Sequence, residues 1–116
     1  MEIKIIKQKI SRNELKKAAQ KSFSQMVKAV VDVKKEIIAL GGELHADAND
    51  LLIKDGSNQE NLWGINIYPD KPEKKWVEFN SLINIRPSVG NRSMEVQNEE
   101  IREKIRKILN NLINNK

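Results

Sequence analysis

The sequence predicts an α+β fold: two layers, with a mainly antiparallel sheet of about five strands covered on one face by amphipathic helices. Three observations carry this. Several segments alternate apolar and polar residues with period two and are separated by short turn signals. Two other segments carry apolar residues at helical spacing behind good capping residues. Finally, Ile, Leu, Val and Phe supply 33 of the 116 residues, above the roughly one-fifth below which chains tend to stay disordered.

The elements follow in chain order. Residues 3–7 form a short β-rich run, read as a strand. Ser11-Arg12-Asn13-Glu14 is a capping box, with Glu three positions after the cap. Leu15, Ala18, Ala19 and Phe23 then repeat at helical spacing, which predicts a helix over about 12–23. Val27, Ala29, Val31 and Val33 share one face of a strand. Lys34-Lys35 turns the chain into a second strand at 36–40, and Gly41-Gly42 breaks it. Residues 43–55 read either as a strand, with Leu44, Ala46 and Ala48 alternating, or as a helix over 46–54. The acids in the first turn, Leu51 and Leu52, Lys54 and Gly56 favour the helix. A strand follows at 62–68, with Trp63, Ile65 and Ile67 on one side and Gly64, Asn66 and Tyr68 on the other. Residues 76–86 are read as one long strand with Val77, Phe79, Ile83 and Ile85 facing the core, ended by Pro87. Asn98 caps a last helix, with Glu99 and Glu100 at its positive end. Ile101, Ile105, Ile108, Leu109 and Leu112 form its apolar stripe, and residues 114–116 are expected to fray. One domain, 1–116, accounts for the whole length.

The charge is uneven. The formal net charge is +5, and residues 1–24 alone carry that excess. Residues 43–60 form the acidic pole, with five carboxylates against Lys54. A basic segment attracts phosphate backbones, and it serves equally well as a solvated helix face. The chain has no Cys and one His. That excludes disulfides, thiolate metal sites, a cysteine nucleophile and a multi-histidine metal site within one chain. Neither a metal nor a cofactor is expected. No apolar run approaches the length of a membrane span, and the charged N-terminus offers no signal peptide core, so a cytoplasmic protein without a membrane partner is expected. Phosphate-loop, dinucleotide-binding, nucleophile-elbow and zinc-protease motifs are missing.

Several stretches between 26 and 93 are distinctive. They are Met26-Val27-Lys28-Ala29-Val30-Val31-Asp32, Gly41-Gly42-Glu43-Leu44-His45-Ala46-Asp47-Ala48, Asp55-Gly56-Ser57, Leu62-Trp63-Gly64-Ile65-Asn66, Ile83-Asn84-Ile85-Arg86-Pro87-Ser88 and Gly90-Asn91-Arg92-Ser93. Together they resemble a family of uncharacterised small bacterial proteins, a domain of unknown function. The resemblance implies no reaction, and it favours the helix over 46–54.

Two groups of residues are candidates for chemistry. His45 and Asp47 are the material of general acid–base work. In a strand they share a face; in a helix they diverge, and Asp47 becomes a dipole-compensating residue. The second group is the polar side of the two last strands and their loops: Asn66, Asn84 and Arg86, with Trp63, Ser57, Ser88, Asn91 and Arg92. Asn is depleted in strands, so its repetition calls for a reason. Arg86 offers a planar donor fork for carboxylate or phosphate. The leading expectation is a binding module for an anionic ligand, either nucleic acid or a phosphorylated or carboxylated small molecule. The alternatives are a small metal-independent enzyme, with His45 as acid–base and Arg86 as anion clamp, and a homodimeric interaction subunit.

Overall fold

The computed structural model describes residues 2–114. Its centre is a five-stranded antiparallel sheet. The strands are β1 (Ile3–Ile6), β3 (Val27–Asp32), β4 (Ile37–Gly41), β5 (Leu62–Ile67) and β6 (Val77–Glu78), in spatial order β1-β4-β3-β5-β6. Two further two-residue strands, β2 (Ile10–Ser11) and β7 (Ile113–Asn114), pair in parallel as a separate ribbon. Asn114, expected to fray, lies in this ribbon, and residues 115 and 116 lie outside the described residues. The helices are α1 (Arg12–Lys21), α2 (His45–Lys54) and α3 (Glu99–Leu112).

Local chemistry accounts for most of these elements. The Ser11 hydroxyl accepts from the Glu14 N–H and the Glu14 carboxylate returns to Ser11, completing the capping box of α1. Asn98 caps α3 by accepting from the Glu100 and Ile101 N–H groups. At the β3–β4 turn the buried Asp32 carboxylate accepts from the N–H groups of Lys34 and Lys35 at 2.9 Å. Gly41 has φ +110°, and a Cβ there would sit 2.3 Å from the Glu2 carbonyl oxygen, so only glycine lets β1 enter beside β4.

The α+β class and the antiparallel five-stranded sheet agree with the sequence reading. Period-two alternation assigns the sheet's two faces. Val27, Ala29, Val31, Ile38, Leu40, Trp63, Ile65 and Ile67 point to one side, where Leu15 and Ala19 of α1 and Ile105, Ile108, Leu109 and Leu112 of α3 meet them. The expectation that helices cover only one face needs correction. Val30, Ile37, Ala39 and Leu62 point the other way, and Ala48 and Leu52 of α2 cover them, with Ile83 packed alongside. The second layer is feasible because Gly64 has no side chain: a Cβ there would lie 2.6 Å from Ser81 Cβ, so the 81–83 segment can lie directly on the sheet.

The long strand expected at 76–86 is also corrected. Only Val77 and Glu78 pair with β5. Trp76 and Phe79 join the first core, but the chain then leaves the sheet, bridges Asn80 to Glu95, and turns in a 3-10 helix over Leu82–Asn84. Ser81 caps that turn by accepting from the Ile83 N–H. Ile85 is exposed rather than in the core. Pro87 starts a second 3-10 turn rather than ending a strand. Asn80, Ser81 and Asn84 are the reason: such side chains compete with a ladder for backbone hydrogen bonds. Among the described residues no helix is long and apolar enough to cross a membrane.

Candidate functional site

The Asn and Arg residues singled out in the sequence act first on the protein itself. Where β6 leaves β5, side chains continue the ladder. Asn84 is fully buried; its Oδ1 accepts from the Gly64 N–H (2.8 Å), and its Nδ2 donates to the carbonyls of Gly64 and Met94 (3.0 Å each). One amide thus supplies both halves of a strand's contact to Gly64. Arg86 extends the same edge by donating to the carbonyls of Leu62 (2.6 Å) and Gln59, and its guanidinium stacks on Trp63 at 4.5 Å from the ring centroid. Burial draws this guanidinium below its ordinary pKa, and it remains a cation at neutral pH. Asn91, also buried, donates to the carbonyls of Asn84, Ser93 and Glu95 and accepts from the Gln97 N–H.

The remaining expected residues scatter. Ser57 is buried and donates to Asp32 Oδ2 at 2.6 Å, tying the loop after α2 to the β3–β4 turn. Trp63 is buried in the first core, so it offers no open ring for stacking. Ser88, in the 3-10 turn Pro87–Val89, and Arg92, in the loop after it, are exposed. Residues 45–54 are helical, so His45 and Asp47 diverge; His45 is buried and Asp47 exposed. The depression that His45 lines does not include Arg86. The basic segment is partly engaged as well. Lys7 pairs with Asp55 at 3.0 Å, Lys16 with Asp70 at 3.4 Å, and Arg12 donates to the Pro69 and Lys71 carbonyls.

What the fold does assemble is a depression of about 440 Å³ on the α2 face of the sheet. Its polar lining comes from β3, β5 and α2, with Asn80 and Ser81 added by the segment after β6. Lys28 of β3 and Asn66 of β5 stand directly opposite each other in register. His45, the first residue of α2, sits above them and its Nε2 donates to the Ile65 carbonyl at 2.8 Å. That bond fixes the neutral tautomer with Nδ1 as acceptor. Burial pushes the imidazole below its ordinary value near 6.5 and the Lys28 charge adds to this; the Ile65 carbonyl and the Asn66 amide oppose it.

Two features leave this depression unsaturated. The N-terminus of α2 has no side-chain cap, because its cap residue is Leu44. Asn66 is 8% exposed; its Nδ2 donates to Glu78 and the Asn80 carbonyl, whereas its buried Oδ1 accepts no hydrogen bond among the described residues. Around the rim Leu44, Leu82 and Met94 are 57%, 71% and 39% exposed. Sequence reasoning missed Lys28, because a single Lys on an alternating strand reads as a solvated position. The register that opposes it to Asn66 is what places it in the depression.

No curated protein and no solved structure gives a match to this chain. Residues 4–112 match the family described as "Protein of unknown function (DUF5674)". That span takes in all of β3, β4, β5 and α2, and with them every residue named above as lining the depression, so the chain belongs to the DUF5674 family.

Proposed function

We propose that this chain is a binding module for a small anionic ligand: a carboxylate or phosphate with a hydrogen-bond donor next to its anionic group and an apolar remainder. The observation that carries the reading is the buried, unpartnered Asn66 Oδ1 in a depression that also receives Lys28 and the uncapped N-terminus of α2. A helix N-terminus presents free N–H groups and partial positive charge, which favours an anion. Lys28 adds a full charge. Asn66 Oδ1 accepts from the ligand's donor, and Leu44, Leu82 and Met94 cover its apolar part. Glu43 and Asp47 are exposed nearby and oppose an anion, so Lys28 is the decisive cation. A compact ligand fits this better than an extended polyanion, because much of the basic segment is engaged by the protein's own acids and carbonyls.

The test is a titration of ¹⁵N-labelled protein with phenyllactate, with phenylpropanoate as the analogue that lacks the hydroxyl. Saturable shifts are expected at the amides of Lys28, Asn66 and residues 44–47. Lys28→Gln is expected to weaken binding about tenfold, and loss of the hydroxyl to do so by a similar factor. If millimolar phenyllactate leaves those amides unmoved, or if Lys28→Gln binds as well as the parent, the reading fails.

A further inference from the structure

The opposite face of the sheet carries a second concavity, which shares no lining residue with the α2 depression. It is a groove of about 180 Å³ between α1 and the β1 edge. Its floor is aliphatic: Ile6 and Leu40 are buried, and Ile10 and Ala18 are half-buried. Lys4, Lys17 and Lys21 line it from both sides. The placement follows from periodicity. Lys4 and Ile6 lie on one face of β1, with Lys4 opposite Leu40, and Lys17 and Lys21 are one helical turn apart on α1.

Charge gives this groove its direction. The chain's whole formal excess lies in residues 1–24. Three of the seven cations there, Lys7, Arg12 and Lys16, have acid or carbonyl partners. Lys4, Lys17 and Lys21 have no acid within ion-pair distance among the described residues, and all three border the groove. Two acids also line it. Glu14 is turned back to the Ser11 cap, and Glu2 is exposed at the β1 end. A concave aliphatic floor ringed by unpaired like charges favours an occupant that is apolar along its length and anionic at one end.

We propose that the α1–β1 groove binds a short linear aliphatic chain that ends in a carboxylate. The chain lies on Ile6, Ile10, Ala18 and Leu40, and the carboxylate is held by Lys17 and Lys21 with Lys4 opposite. A groove of about 180 Å³ suits a short chain rather than a long one.

The experiment titrates ¹⁵N-labelled protein separately with hexanoate, hexylammonium and inorganic phosphate. Hexanoate is expected to move the amides of Ile6, Ala18, Lys21 and Leu40 saturably, and phosphate and hexylammonium to bind at least about tenfold more weakly. The double variant Lys17→Gln/Lys21→Gln is expected to lose about tenfold in hexanoate affinity, and Ala18→Phe, which fills the floor, to lose binding. Chemical shifts at β3 and β5 report that each variant is folded. Equal binding of hexylammonium overturns the role of the lysines, and equal binding of phosphate overturns the role of the floor. Absence of saturable hexanoate shifts overturns the site. Because residues 44–47 report the other depression, this result and the one for the α2 site are read independently.

Discussion

The two long edges of β5 are held by different chemistry. Toward β3, six residue pairs align backbone to backbone, from Asp32↔Leu62 to Val27↔Ile67. Toward β6, only Asn66 and Ile67 have strand partners, and Asn84 and Arg86 supply side-chain donors and acceptors for Gly64 and Leu62. The comparison teaches that an edge needs hydrogen-bonding groups at the right spacing rather than a strand as such. Side chains that do this free the backbone of 79–97 to cross the sheet and build the second layer. The cost is concentration: a ladder spreads its bonds over many residues, whereas here single amides each carry several.

The largest effect is expected from Asn84→Ala. It strands the buried N–H and carbonyl of Gly64 and leaves the Met94 carbonyl with the Ser81 N–H as its remaining donor, and is expected to cost about 3 kcal/mol. Urea unfolding measures it, and hydrogen exchange of the Gly64 amide should accelerate well before that of β3. If the Gly64 amide stays as protected as its neighbours, the side-chain ladder is not what holds this edge. Gly64→Ala comes next, at about 2 kcal/mol, since the new Cβ meets Ser81 Cβ. Combining it with Ser81→Gly should recover part of the loss, and failure to do so would place the strain elsewhere. Arg86→Lys is expected to cost about 1.5 kcal/mol despite keeping the charge, because an ammonium cannot span the Gln59 and Leu62 carbonyls and stack on Trp63. Asn98→Ala, a cap outside this edge, serves as the local reference at about 1 kcal/mol. The smallest effect is pH-dependent. The His45 pKa is lowered in the folded state, so below about pH 6.5 the unfolded chain binds more protons and stability falls as pH falls. His45→Gln should flatten that dependence in unfolding curves recorded at about pH 5 and pH 7.

Legibility in the sequence followed the range of the interaction. The α1 capping box, the Asn98 cap and apolar stripe of α3 and the alternation of β3 and β5 need only neighbours a few residues away, and these elements form where expected. The 76–86 segment misled because its apolar spacing is genuine: Val77 and Phe79 do face the first core. Yet Asn80, Ser81 and Asn84 outweigh that spacing once Gly64 opens space on the sheet. For the site, Asn66 and His45 were legible as unusual residues, whereas Lys28 was not. Asn84, Asn91 and Arg86 were recognised as needing a reason, and the reason is architectural.

Local pattern alone specifies the first and last helices with their caps, the central strands, and a basic first fifth without cysteine chemistry. Periodicity and capping are properties of neighbouring residues, so a single chain segment expresses them. Packing between distant segments settles which carbonyls Arg86 binds, which amide replaces a strand, and which lysines are left to line a groove. Those partners lie far along the chain, 20 residues between Asn84 and Gly64 and 27 between Arg86 and Gln59. Nothing local distinguishes an amide that binds a distant backbone from one that binds a ligand; the packing of the two sheet faces makes that choice.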